Sequence, residues 1–116
     1  MEKEEKIKKE GELIAFMILQ KDGFSILETN WRFQKDKIDI IAIKNGVMIF
    51  TQVKTRTNKK PVKSSNSIDK KKIALYKDAA KNYLAKTISK TEIRFDIVNI
   101  FIGKDQTEIE HITKAF

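Results

Sequence analysis

The chain has 116 residues, a net charge of +8 and no cysteine. That length fits one domain, residues 1–116, with core enough to fold without staples, while disulfides and thiolate metal sites are excluded. No apolar run reaches the ~20 residues of a membrane span, and Met1-Glu2-Lys3-Glu4-Glu5-Lys6 lacks the apolar centre of a signal peptide, so a cytoplasmic protein without membrane contact is expected.

Residues 4–20 read as a helix. Leu13 to Leu19 are all apolar, so burial nearly all round is expected there. Gly11 inside a helix costs ~1 kcal/mol relative to Ala and points to close backbone packing. Glu12, Ala15, Phe16 and Leu19 share one stripe, which turns Glu12 inward. Gly23 is placed to end the helix as its C′ residue. Residues 24–32 read as a first strand, with Trp31 in core or rim packing.

Two apolar runs then flank Asn45-Gly46, a strong signal for a two-residue hairpin turn. With that loop, Lys44 faces Val47 and Asp39 falls opposite Gln52. Alternation puts Asp39, Ile41, Ile43, Met48, Phe50, Gln52 and Lys54 on one face. Ile38, Ile40, Ala42, Ile49, Thr51 and Val53 take the other. Both faces are apolar, so helices are expected on each side of the sheet.

Residues 58–67 read as a polar, basic loop around Pro61, and Ser67 is a candidate N-cap for a helix over residues 68–86. Lys70, Lys71 and Lys72 occupy its first turn, against the helix dipole. Residues 91–101 and 108–113 read as further strands. The order α-β-β-β-α-β-β predicts an α/β domain with one mixed sheet.

Charge and chemistry converge on the open end of the hairpin. Asp39 can ligate Mg²⁺ or Mn²⁺, the amide oxygen of Gln52 and the carbonyl of Val53 are further hard donors, and Glu12 can add a second carboxylate. Lys54 can orient water and offset charge at phosphorus. The same groups also fit a hydrogen-bonded pair with a salt-bridged neighbour. Lys54, Arg56, Lys59, Lys60, Lys63, Lys70, Lys71 and Lys72, opposed only by Asp69, form a basic run that favours a polyanionic partner. Arg94 and Asp96 read as a structural ion pair, and His111 as packing or surface.

The blocks Gly11-Glu12, Asn30-Trp31-Arg32, Ile38-Asp39-Ile40-Ile41-Ala42, Val53-Lys54-Thr55-Arg56, Arg94-Phe95-Asp96-Ile97-Val98 and His111-Ile112 resemble the YraN-type proteins. These are similar in turn to the restriction-endonuclease-like PD-(D/E)xK nucleases and, more loosely, to archaeal Holliday-junction resolvases. The resemblance implies a restriction-endonuclease-like central mixed β-sheet flanked by helices. It also implies a metal-dependent endonuclease acting on nucleic acid, DNA in structured or branched form foremost. Asp39 would be the metal aspartate, Gln52-Val53-Lys54 the Glu-x-Lys triplet and Glu12 the helix glutamate. Two positions depart: Gln52 stands where relatives usually carry Glu, and Lys37 where they often do. Mrr-type restriction enzymes resemble the Gln-x-Lys version. Metal binding is therefore expected to be weak, and a nucleic-acid-binding module with an attenuated centre is the alternative. Lys37 is expected across from Lys54, a repulsive pairing that binds phosphate or splays the hairpin. A homodimer would suit cutting of two strands, though no residue signals one.

Overall fold

The computed structural model describes residues 2–57, 70–86 and 91–116. Helix α1 (Glu2–Lys21) is followed by strands β1 (Ser25–Phe33), β2 (Asp36–Lys44) and β3 (Val47–Arg56), helix α2 (Lys70–Leu84), and strands β4 (Glu92–Ile102) and β5 (Thr107–Ile112). The strands form one sheet in the order β1-β2-β3-β4-β5. β3 and β4 pair in parallel, bridged by α2, and the other neighbours are antiparallel. Ala15 and Leu19 of α1 pack on Ile40, Ala42, Ile49, Val53, Val98 and Ile100. On the other face, Ala79 and Ala80 of α2 pack with Ile38, Ile41, Met48, Phe50 and Phe95. A mixed sheet with a helix on each face is the α/β architecture of a restriction-endonuclease-like domain.

Local chemistry explains the joints. Gly23 has φ of +91°; its N–H donates to the Gln20 carbonyl at 3.0 Å and the Phe24 N–H to that of Leu19 at 2.9 Å. These are the two bonds of a Schellman cap, and Phe24 joins Leu19 in the core as that motif requires. Asn45 and Gly46 both have positive φ, 51° and 77°, as a type I′ turn demands. Lys44 faces Val47, and the predicted register holds through Ile40 and Thr51.

Four expectations need correction. Leu13 and Met17 are each 59% exposed, because the sheet covers the Gly11-Ala15-Leu19 stripe of α1, flanked by Ile14 and Phe16, and the far side has no covering element among the described residues. The regular β2–β3 ladder stops at Ile40 and Thr51, one pair short of Asp39 and Gln52. Asn30 on β1 has φ of 51°. The alternation slips a face in this region, so Ile38 packs with Ile41 and Phe50 instead of Ile40 and Ala42. The slip also carries Lys37 to α1, away from the expected clash with Lys54. Ser67 and Pro61 lie outside the described residues.

Candidate nuclease-like centre

The break in the ladder is filled by a side chain. Asp39 is 6% exposed, and its Oδ2 accepts the Val53 N–H at 2.7 Å. A carboxylate thus replaces the main-chain carbonyl that would otherwise pair there, satisfying a buried donor. Its Oδ1 lies 3.8 Å from the Lys37 ammonium. That ammonium is also 3.4 Å from Glu12 Oε2 and donates to Asn30 Oδ1 at 2.8 Å. Gln52 donates from Nε2 to the Lys37 carbonyl at 3.4 Å. Glu12 from α1, Lys37 and Asp39 from β2, Asn30 from β1 and Gln52 from β3 therefore meet at one end of the sheet.

Gly11 explains how Glu12 gets there. A Cβ built on Gly11 would lie 1.9 Å from Thr55 Oγ1. Only glycine lets the α1 backbone settle on β3 at this height, which sets Glu12 over the strand ends.

The electrostatics follow from burial. Burial pushes the Asp39 carboxyl up to about 6; the Val53 N–H pulls down, Glu12 pushes up by like-charge repulsion, and Lys37 and Lys8 pull down. The folded state therefore holds a proton that the unfolded chain, near 3.8, releases earlier. Stability from this group is present at low pH and lost as pH rises through about 6. We expect wild type to lose stability relative to Asp39→Asn between pH 4 and 7, read from thermal midpoints at both values. Lys54, half-buried on β3, is pushed below the usual lysine range by burial and then by the neighbouring Arg56 charge.

The other predicted residues are spread around this end. Arg56 is exposed at the end of β3, and Lys70, Lys71 and Lys72 are exposed at the start of α2. Lys72 forms an ion pair with Asp36, one residue before Lys37, so part of the cost of cations in that first turn is offset. Lys59, Lys60 and Lys63 lie outside the described residues. A cleft of about 420 Å³ opens between Glu4, Ile7 and Lys8 of α1 and Val53, Thr55 and Arg56 of β3; it meets the cluster at Val53, whose N–H Asp39 holds.

The oxygen donors suit a hard divalent ion in kind: Glu12, Asp39 Oδ1, the Gln52 amide oxygen and the Val53 carbonyl. In number they are sparse, since among the described residues no three His, Cys, Asp or Glu side chains cluster. The signals missed in the sequence are Asn30, whose side-chain oxygen holds the Lys37 ammonium, and Lys8, whose charge acts on both Asp36 and Asp39.

Residues 11–100 match the family described as uncharacterised protein family UPF0102. A UPF0102 protein of Flavobacterium psychrophilum is 40% identical over 91% of this chain and 89% of its own length. Relatives from Christiangramia forsetii, 36% identical over 93% and 91%, and Chlorobaculum parvum, 37% identical over 92% and 88%, carry the same description. A chain matched by the family model over residues 11–100 and by these relatives over more than nine-tenths of its length belongs to the UPF0102 family, the YraN-type group that its sequence blocks resemble.

Proposed function

We propose that this protein binds nucleic acid, DNA in structured or branched form foremost, and hydrolyses phosphodiester bonds with Mg²⁺ or Mn²⁺ at the Glu12–Asp39–Gln52 end of the sheet. The observation that carries the reading is the convergence of two carboxylates and an amide from three separate elements on Lys37, with Val53 leading from Asp39 to a cleft lined by Lys8 and Arg56. Glu12, Asp39, Gln52 and the Val53 carbonyl would hold the ion. When bound, a divalent ion supplies Lewis acidity toward a phosphoryl oxygen and lowers the pKa of water. Lys54, held partly desolvated, positions a donor toward charge developing at phosphorus. Lys8, Arg56, Lys70 and Lys71 would track the phosphate backbone, giving salt-dependent binding without base readout.

A second reading is favoured by one contact: Lys37 places a positive charge between the two carboxylates, as an attenuated, binding-only centre would. Incubation of plasmid, single strands and a four-way junction with Mn²⁺ separates the two. On the first reading, Asp39→Ala and Lys54→Ala each slow cleavage by about 10²-fold or more. Gel retardation without cleavage, unchanged in Asp39→Ala, establishes the second. Neither cleavage nor retardation at low salt overturns both.

A further inference from the structure

We propose that the Lys37 ammonium is the resident cation of this centre, and that a divalent ion binds there only by displacing it. The inference rests on the reading of Glu12 and Asp39 as the centre, and goes beyond it by naming what governs access.

The geometry is specific. Lys37 Nζ lies 3.4 Å from Glu12 Oε2 and 3.8 Å from Asp39 Oδ1, so one ammonium bridges the two carboxylates that a metal would share. Its third contact, 2.8 Å to Asn30 Oδ1, fixes the head group from the side. Asn30 itself has a left-handed backbone, φ 51°, within β1. The bridge is partly shielded: the Lys37 side chain is 26% exposed, that of Glu12 16%. The cation is thus held by side chains of α1, β1 and β2 together and is not a solvated lysine that happens to reach an acid. Asp39 Oδ2 is committed to Val53, so Oδ1 and Glu12 are the anionic oxygens an ion would need, and Lys37 stands on both.

Charge bookkeeping gives the same answer. Glu12 and Asp39 carry two negative charges when ionised, and Lys37 cancels one. A divalent ion arriving beside Lys37 meets like charge at contact range, where Coulomb energies outweigh thermal energy several-fold even at an effective dielectric of ~20. An ion that displaces Lys37 must break its bonds to Glu12 and Asn30. Phosphate is a natural destination for the released ammonium, which would couple ion entry to arrival of a polyanion.

The test is Mn²⁺ binding to full-length protein without nucleic acid, followed by electron paramagnetic resonance of the free ion at fixed pH. Lys37→Met should bind Mn²⁺ at least tenfold more tightly than wild type, and Lys37→Arg, which keeps the charge, should not. Adding Asp39→Asn to Lys37→Met should remove the gain, locating it at this centre. Circular dichroism verifies folding, and Lys37→Gln serves in place of the methionine variant if that one does not fold. Equal affinity in wild type and the neutral variants, an equal gain in Lys37→Arg, or a gain that survives Asp39→Asn would overturn the proposal. Because no nucleic acid is present, a Mn²⁺ gain without any DNA binding would sink the functional reading and leave the role of Lys37 standing.

Discussion

Asp96→Ala should destabilise the protein by about 3 kcal/mol, the range for breaking a buried ion pair by removing one member, and lower the thermal midpoint by roughly 10 °C or more. Asp96 is fully buried on β4. Arg94 grips it with two bonds of 2.8 Å, His111 Nε2 lies 2.7 Å from Oδ2, and the Lys114 N–H donates at 3.2 Å. One carboxylate thus ties β4 to β5 and to the chain beyond it. Burial pushes its pKa up, but the bonds from His111, Arg94 and Lys114 outweigh burial and leave it below the usual value. The sign follows: the stabilisation is present above the unfolded carboxylate pKa near 3.8 and is lost as pH falls through the folded value. The gap between wild type and Asp96→Ala should therefore be full at pH 7 and close on strong acidification. Denaturant midpoints at pH 7 and below 3 measure it. A gap that stays the same at both pH values would mean that the loss is one of packing alone.

Gly11→Ala should also destabilise, by about 2 kcal/mol, although alanine is the better helix former by ~1 kcal/mol. The added methyl would lie 1.9 Å from Thr55 Oγ1, 2.7 Å from its Cγ2 and 2.8 Å from its Cβ. All three atoms belong to a short, branched side chain on a central strand, so relief requires α1 to lift from β3, an overpacking penalty of about 1–3 kcal/mol. Thr55→Gly removes these three atoms. In a double-mutant cycle the pair should recover most of the loss, with a coupling of at least about 1 kcal/mol. Simple additivity would show that the helix does not bear on the strand there. Lifting α1 also withdraws Glu12, so Gly11→Ala should weaken the centre as well as the fold.

The two variants mark what the sequence reveals and what it hides. Gly11 was legible because a glycine inside a helix is costly and calls for a reason; Thr55 is the reason. The Asn45-Gly46 turn was legible because its residue types permit few backbones, and it carried the register as far as Ile40 and Thr51. From there the pattern was silent. Asn30 leaves no trace in hydrophobic alternation, yet the slip around it moves Ile38 to the α2 face and Lys37 to Glu12. The run Leu13 to Leu19 is apolar throughout, and nothing in it says that only one side meets the sheet. His111 read as packing because its partner Asp96 is set by the β4–β5 register, in which it faces Val98, and the loop at Gly103-Lys104-Asp105 did not fix that register. Arg94 and Asp96 were readable as an ion pair because they alternate on one strand.

Nucleic acid is proposed to meet this protein at the end of the sheet where Glu12 of α1 joins Asp39 and Gln52. Titration of isotope-labelled protein with a short DNA duplex or four-way junction, followed by amide chemical shifts, tests it without requiring cleavage. The largest changes are expected at residues 8–12, 37–39 and 52–56, diminishing with added salt. Changes confined to the opposite end, around Asp22, Lys44 and His111, or none at low salt, would contradict it.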